Sequence, residues 1–180
     1  MLNMTRRIFQ NCKGMTLVEL LAVLTITGII LILSTGILIN GIRSYDSAAA
    51  ETVLRDEADL IMTYLMKDIF TLKESEIQKL DHGKNNDIPY SKIVLHPDHS
   101  GEIKEIGFQG SKVLTRNGTY EIGNKSVKLL PDYSITKLES KPESGDSRNK
   151  VYRIEFTLRH AKKNKDVTFV SEVSTVNDIQ

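Results

Sequence analysis

The residue most able to do chemistry is Glu19, because its carboxylate stands at the start of a long apolar stretch. Residues 20–39 contain no charged side chain and are mostly Leu, Ile, Val and Ala. A carboxylate at bilayer depth costs about 2.5–3.5 kcal/mol on insertion scales, so a lone charge here needs a cationic partner. The alternative is that Glu19 lies in the interfacial region of a membrane, where it needs none.

The cations nearest to Glu19 in the sequence are Lys13, Arg7 and Arg6, which are the only charged residues before it. Only Arg43 follows closely after the apolar stretch. Because positive charge is retained on the cytoplasmic side of a span, this asymmetry predicts an N-terminus inside and a C-terminus outside.

A second group of candidate ligands is the run His96-Pro97-Asp98-His99, with Asp81 and His82 upstream. Imidazole and carboxylate groups can bind metals. Pro97 and the Ser-Gly pair that follows the run instead favour a turn, where Asp and His are common. Residues 142–149 offer only Glu143 and Asp146, too few charged oxygens for calcium. We therefore expect no metal site and no cofactor.

Five basic side chains cluster near the C-terminal end of the chain: Arg159, His160, Lys162, Lys163 and Lys165. Such a cluster could contact DNA phosphates. The alternative is a solvated hairpin tip whose lysines keep a sheet edge soluble. No aromatic residue lies in the turn to stack on bases, which favours the alternative.

Common catalytic motifs are missing from the sequence, which contains no nucleophile elbow, HExxH, CxxC or glycine-rich phosphate loop. We therefore expect a protein that is not an enzyme.

The element that must position Glu19 is an apolar helix. About 20 helical residues rise about 30 Å, enough to cross a bilayer, whereas the core of a secretory signal is only about 7–15 residues long. This predicts a membrane helix over residues 15–43 and one globular domain over residues 44–180. The competing interpretation is a signal peptide cut at the small residues 47–50, which would release a secreted enzyme beginning at Glu51.

The run Gly14-Met15-Thr16-Leu17-Val18-Glu19, followed by the apolar helix, resembles the N-terminal signature of type IV pilins and pseudopilins. The resemblance implies that residues 1–14 are a leader, that a prepilin peptidase cuts between Gly14 and Met15, and that it methylates the new amine of Met15. It also implies that Glu19 pairs with the amino terminus of a neighbouring subunit. A free α-amine has a pKa of about 7.7–8 and supplies the cation that Glu19 lacks. The residue after the cut is usually Phe in this family, and Met15 takes its place here.

The same resemblance implies a set of partners: prepilin peptidase, other pilin or pseudopilin subunits, an inner-membrane assembly platform protein with its ATPase, and the membrane. The machine would be a type IV pilus, a competence pilus or a type II secretion pseudopilus, located in the cytoplasmic membrane and then in an extracellular or periplasmic filament. The run that begins at Arg55 resembles the J-type pseudopilins and, with the size of the chain, predicts a minor subunit. An alternative function is a membrane-tethered or filament-tip binding module for DNA or surfaces.

The overall charge gives no reason to expect a polyanionic partner. The chain has 24 Lys and Arg against 23 Asp and Glu, and removal of the leader takes away three cations and no acid. The single cysteine, Cys12, lies in the leader, so packing alone must hold the exported domain together.

The exported domain is predicted to be α+β. Over residues 44–72 apolar side chains recur at helical spacing with charged residues between them, so the membrane helix should continue outward as one long helix. The apolar positions are Val53, Leu54, Leu60, Ile61, Tyr64, Leu65, Ile69 and Phe70. Residues 73–90 are predicted to be a polar connection, with Gly83, Asn85, Asn86 and Pro89 as breakers.

After this connection the apolar period changes to two, which predicts strands. They are expected at residues 92–96, 102–109, 111–116, 119–122, 126–130, 133–138, 150–159 and 166–176. Asn117-Gly118 is the strongest hairpin signal, and a closing hairpin is expected around residues 161–165. The predicted fold is a long N-terminal helix, with a transmembrane half and an amphipathic half, packed on an antiparallel sheet as in type IV pilins.

Overall fold

The structure is a computed structural model that describes residues 15–98, 101–138 and 150–176. Its longest element is the 54-residue helix α1, Leu17–Phe70. The predicted continuation of the apolar helix into an amphipathic one is confirmed. The chain divides within α1 into two units, Met1–Asp46 and Ser47–Gln180.

The described part of the first unit is a helix with apolar side chains on every side. Leu17, Ile32 and Ile37 are each 75% exposed, and no described residue before Ala50 is buried. A helix that is apolar all round has no polar face to turn towards water, which is typical of membrane spans. Among the described helices, α1 alone contains a segment long and apolar enough to cross a membrane.

In the second unit α1 buries one face. The buried positions recur every three or four residues, as one side of a helix requires: Ala50, Leu54, Glu57, Ala58, Ile61, Leu65 and Ile69. The predicted apolar stripe is wrong at three positions, because Leu60, Tyr64 and Phe70 are 47%, 43% and 59% exposed. The buried face is therefore narrower than predicted, and it includes Ala50, Ala58 and Glu57, which were not among the predicted positions.

Nine strands follow α1 within the described residues. They are β1 Ile77–Asn85, β2 Ile88–Leu95, β3 Glu105–Gln109, β4 Lys112–Thr115, β5 Gly118–Glu121, β6 Val127–Leu129, β7 Ser134–Leu138, β8 Val151–His160 and β9 Lys165–Ser174. A short 3₁₀ turn, Glu74–Glu76, connects α1 to β1.

These strands form two antiparallel sheets rather than the single sheet that was predicted. The first sheet has the order β1-β2-β3-β4-β5, so each strand pairs with its neighbour in sequence. In the second sheet β8 is central, with β9 on one side and β6 and β7 sharing the other. The α+β class and the packing of one long helix on antiparallel sheets are confirmed.

The prediction of a polar connection over residues 73–90 is wrong, because this region contains β1 and the start of β2. The side chains of β1 are mostly exposed, so its sequence does not show the alternation of apolar and polar residues that predicts a strand. The strand is held in place by backbone hydrogen bonds to β2. Asn86 and Asp87 form the turn, with φ of 48° and 64°. Gly83 stands opposite Tyr90, and a Cβ at Gly83 would lie 3.1 Å from the Tyr90 hydroxyl oxygen.

The predicted hairpin at Asn117-Gly118 is confirmed, since β4 and β5 pair across a two-residue turn. The closing hairpin is confirmed as well, with β8 and β9 paired along their whole length. The strand predicted at residues 102–109 begins only at Glu105. Asp98 is the cause, because its carbonyl and carboxylate oxygens accept the N–H groups of Gly101 and Glu102 and form a turn there.

The core of the second unit lies where α1 meets both sheets. Phe108 of the first sheet and Phe156 of the second lie 5.4 Å apart between ring centroids. Tyr133 stacks on Phe108 at 4.9 Å, and Phe169 contacts Phe156 at 5.7 Å. The contact between Phe108 and Phe156 joins the two sheets, whereas the contact between Phe156 and Phe169 lies within the second sheet.

A buried carboxylate fixes α1 to the first sheet. Glu57 is 8% exposed and accepts hydrogen bonds from the Tyr120 hydroxyl at 2.6 Å and from the Gly123 N–H at 3.3 Å. Burial and the Glu57 carboxylate raise the pKa of Tyr120 to about 12. Since a buried charge needs such donors, Glu57 belongs to the core although it stands among charged neighbours in the sequence.

Candidate processing and assembly site

The N-terminus of α1 is held by reciprocal hydrogen bonds between Thr16 and Glu19. The Thr16 N–H donates to Glu19 Oε2 at 2.9 Å and the Thr16 hydroxyl donates to the same oxygen at 3.1 Å. In return, the Glu19 N–H donates to Thr16 Oγ1 at 3.2 Å. This capping box satisfies backbone groups that the first turn of a helix leaves unpaired.

The box places the Glu19 carboxylate at the first turn of α1, four residues after Met15. The helix dipole favours a negative charge there. Met15 is 67% exposed. Gly14 and the leader cations Arg6, Arg7 and Lys13 lie outside the described residues, so the predicted cleavage site borders the described part of the chain.

Thr16 is the residue that reasoning from the sequence missed at this site. The pattern Thr16-Leu17-Val18-Glu19 is an S/T-x-x-E capping signature, so the signal is present in the sequence. The carboxylate of Glu19 therefore has hydroxyl and amide donors from its own helical turn.

The basic cluster near the C-terminal end is partly neutralised. Arg159 donates two hydrogen bonds of 2.6 Å to Asp166 across the β8–β9 pair, and these lower the pKa of the Asp166 carboxyl. Lys165 Nζ lies 2.7 Å from Glu51 Oε2. His160 is buried, and its Nδ1 accepts the Lys163 N–H at 3.3 Å. The side chains of Lys162 and Lys163 are exposed.

The candidate metal ligands are not gathered around one point. Among the described residues no three His, Cys, Asp or Glu side chains are placed to hold a metal ion. Asp81 pairs with Lys79 at 3.1 Å, and Asp98 pairs with Lys104 at 3.3 Å. His99 and residues 142–149 lie outside the described part of the chain.

Glu51 joins α1 to the start of β9 and provides a test of this contact. Its hydrogen bonds from Lys165 and Arg55 lower its pKa to about 2. Because the pKa is depressed in the folded state, the contact stabilises the fold above about pH 4.5. That contribution is lost as the pH falls towards 2.

We expect Lys165→Met to raise the pKa of Glu51 towards its ordinary value, because the largest cause of the shift is removed. A carboxyl-carbon NMR titration of the full chain in detergent measures this pKa. Lys162→Met is the matched control, since Lys162 lies in the same turn and should leave the titration unchanged. An unchanged pKa of Glu51 in Lys165→Met would contradict the contact.

Comparison with known proteins supports the N-terminal assignment alone. Residues 9–35 match the family model described as the prokaryotic N-terminal methylation motif. The match includes the predicted cleavage site, Thr16, Glu19 and the first part of the apolar helix. No curated protein and no solved structure matches the chain.

Proposed function

We propose that this chain, which carries the prepilin-peptidase signature of type IV pilins and pseudopilins at residues 9–35, is a structural subunit of a pilus or pseudopilus filament. Prepilin peptidase removes residues 1–14 and methylates the amine of Met15. The machine is a type IV pilus, a competence pilus or a type II secretion pseudopilus. The main support for the proposal is the spacing of the N-terminal motif, in which Glu19 follows Gly14 by five residues and directly precedes the apolar residues of the helix.

The geometry at the start of α1 supports an assembly role for Glu19. Its carboxylate is exposed in the first helical turn, and the apolar side chains that follow it are exposed on every side. When such helices pack together, water is excluded and a carboxylate without a cation becomes costly. The amine created at Met15 of a neighbouring subunit, with a pKa of about 7.7–8, supplies that cation. Before assembly, Thr16 keeps the carboxylate hydrogen-bonded.

The proposed topology is a single span with the N-terminus inside and the second unit outside. The cations Arg6, Arg7 and Lys13 before the span support this orientation. The proposed partners are prepilin peptidase, other subunits, an assembly platform protein and its ATPase. An external motor is required because the sequence has no phosphate-binding loop.

We also propose that the subunit is a minor one with a structural rather than catalytic role. The length of 180 residues and the lack of cysteine after Cys12 support this assignment. The resemblance of the run beginning at Arg55 to the J-type pseudopilins also supports a minor subunit.

The mass of the mature N-terminus tests the proposal. After coexpression with a prepilin peptidase, we expect a chain that begins at Met15 and carries one added methyl group. Gly14→Val should leave the chain uncut, because the peptidase then meets a branched side chain at the scissile bond. Coexpression without the peptidase is the control for cleavage by other proteases.

Two other products would contradict the proposal. A chain beginning at Glu51 would make the protein a freely secreted domain. In the uncut chain residues 47–50 are helical and Ala50 is buried, so this product would begin inside α1. An uncut wild-type chain would make it a simple anchored protein.

A filament-tip module that contacts DNA through Arg159, Lys162, Lys163 and Lys165 is the alternative function. The ion pairs of Arg159 and Lys165 weaken it, because their charges are already compensated. Under this alternative, Ala at Lys162, Lys163 and Lys165 abolishes DNA uptake and leaves filaments intact.

A further inference from the structure

We propose that Asn117 is a site of spontaneous covalent modification, at which the side-chain amide is lost and the residue becomes aspartate or isoaspartate. The reactants are the Asn117 side chain, the backbone nitrogen of Gly118 and water. The site lies in the turn between β4 and β5, wholly within the second unit. It therefore requires no enzyme, no membrane and no second chain.

The sequence Asn-Gly occurs twice in the chain, at Asn117-Gly118 and at Asn40-Gly41. The reaction requires the backbone nitrogen of the second residue to reach the side-chain carbon Cγ of the Asn. Glycine permits this approach, because it has no Cβ and adopts backbone angles that other residues rarely adopt. The two pairs are alike in sequence, so the structure around each pair decides which one reacts.

The surroundings of Asn117 allow its side chain to react. Asn117 and Gly118 are both exposed, and a Cβ placed on Gly118 would meet nothing within 4 Å. Within residues 15–98, 101–138 and 150–176, no hydrogen bond holds the Asn117 amide group. Asn124 differs, because its Oδ1 accepts the Ser126 N–H at 2.9 Å. The Asn117 side chain can therefore turn towards the Gly118 nitrogen without losing a partner in the described structure.

The Gly118 nitrogen becomes accessible when a small part of the hairpin opens. Gly118 pairs with Thr115, and this is the outermost pair of the β4–β5 hairpin. β5 is also the last strand of its sheet and pairs on one side only. The free energy of local opening is lowest at such exposed ends and highest in the interior of long elements. Opening of one terminal pair is therefore enough for the reaction.

Asn40-Gly41 lies in the opposite environment, in the interior of the 54-residue helix α1. In a helix the N–H of each interior residue donates to the carbonyl oxygen four residues earlier, so the Gly41 nitrogen is engaged. The helix would have to break there before Asn40 could react. Since about 1.4 kcal/mol of opening free energy is a factor of ten in rate, we expect Asn117 to react at least about tenfold faster than Asn40.

Water alone completes the chemistry. The Gly118 nitrogen forms a bond to Cγ of Asn117, its proton passes to the departing amide nitrogen, and ammonia leaves. Water then opens the cyclic imide that remains. Cleavage of the bond from nitrogen to Cγ gives aspartate, and cleavage of the bond from nitrogen to the backbone carbonyl carbon gives isoaspartate. Both products carry a new carboxylate, and in isoaspartate the backbone is longer by one atom.

The products should weaken the turn. The Arg116 N–H donates to Asp68 Oδ2 at 2.7 Å, and Arg116 Nη2 lies 3.2 Å from Glu76 Oε1. A third carboxylate beside Arg116 would repel these two acids. The longer backbone of isoaspartate would also shift Gly118 from its position opposite Thr115. We therefore expect the isoaspartate form to unfold at a lower urea concentration than the unmodified chain.

Peptide mapping by mass spectrometry tests the site. The full chain in detergent is kept in mildly alkaline buffer, which promotes loss of the Gly118 N–H proton, and is sampled over several weeks. The peptide that contains Asn117 should gain the mass difference between a hydroxyl and an amino group and should separate into aspartate and isoaspartate forms. The peptide that contains Asn40 should change at least about tenfold more slowly.

Two controls separate the effect of the fold from that of the sequence. Asn117→Gln keeps an exposed amide but would have to form a larger ring, so this position should gain no mass in the same period. A synthetic peptide of residues 112–121 gives the rate without the fold. The rate at Asn117 in the folded chain should lie within about tenfold of the rate in this peptide, because only one terminal pair must open.

The outcomes are distinct. If the peptide reacts and Asn117 in the folded chain does not, then the turn protects Asn117 and the proposal is wrong. Equal rates at Asn40 and Asn117 would also overturn it, because the fold would then not select the site. Neither result bears on the proposed function, which the mass of the mature N-terminus tests separately.

Discussion

Replacing Gly107 with alanine should lower the free energy of unfolding by about 3–5 kcal/mol, because it adds backbone strain and overlap in the middle of the first sheet. Gly107 has φ of 145°, which side chains rarely adopt. A Cβ there would overlap the Ser91 carbonyl oxygen and lie 2.7 Å from Lys92 Cα. Both of those atoms are backbone atoms of the neighbouring strand β2, so the strand itself would have to move.

Two further glycines make this experiment selective. Gly118 also has a positive φ, 137°, but a Cβ there would meet nothing within 4 Å, so Gly118→Ala should cost only about 1–3 kcal/mol of strain. A Cβ at Gly123 would also meet nothing within 4 Å, and its φ lies outside the strained range. Gly123→Ala should therefore be close to neutral.

Urea unfolding of the full chain in detergent measures these differences. Tyrosine fluorescence is the signal, because the chain has six Tyr and no Trp. If Gly107→Ala unfolds at the same urea concentration as Gly123→Ala, then β2 and β3 do not approach as closely as described.

Glu19→Ala should reduce incorporation into filaments at least about tenfold, since it leaves the amine of a neighbouring Met15 without its counter-charge in a dry interface. Cleavage after Gly14 should be nearly intact. The measurement is the fraction of the variant recovered in sheared filaments when it is coexpressed with the wild-type chain, with N-terminal mass as the check on processing.

The capping box calls for two companion variants. Glu19→Gln can still close the box with Thr16 but carries no charge, so it should assemble as poorly as Glu19→Ala. Thr16→Ala opens the box and keeps the charge, so it should assemble better than either. If Glu19→Gln is incorporated normally, then assembly does not need an ion pair between Glu19 and the amine of Met15. The role of Glu19 would then be limited to capping the helix with Thr16.

The elements that were predicted correctly are those that a short stretch of sequence determines by itself: the apolar helix, its amphipathic continuation and the β4–β5 hairpin. The apolar run predicted the helix of the first unit. The helical spacing of apolar residues over 44–72 predicted the end of α1 to within two residues. Asn117-Gly118 predicted the β4–β5 hairpin, in which Arg116 and Asn117 connect the strands and Gly118, with φ of 137°, begins β5. At the candidate site, the charge of Glu19 beside the apolar run singled it out, whereas Gly14 and Met15 came from the resemblance to type IV pilins. All three lie within the matched residues 9–35, and their roles stay predictions.

The features that the sequence did not reveal depend on contacts between distant residues. β1 is polar because it is an edge strand, so only its pairing with β2 shows that it is a strand. Glu57 is buried because Tyr120 provides a hydroxyl 63 residues later. The turns near Ser126 and Ala161 are distant in the sequence, and only the hydrogen bond from the Ala161 N–H to the Ser126 carbonyl oxygen shows that they lie side by side.

The course of β9 beside α1 determines how the second unit would respond to pulling. Lys165 contacts Glu51, Ser171 contacts Met66, and the Val176 N–H donates to the Leu72 carbonyl, so strand and helix run in the same direction. Tension applied along α1 would therefore act parallel to β9 and would load these contacts between helix and strand together in shear, rather than one at a time from an end. Because no cysteine follows Cys12, non-covalent contacts of this kind, and not a disulfide, would have to resist such a force.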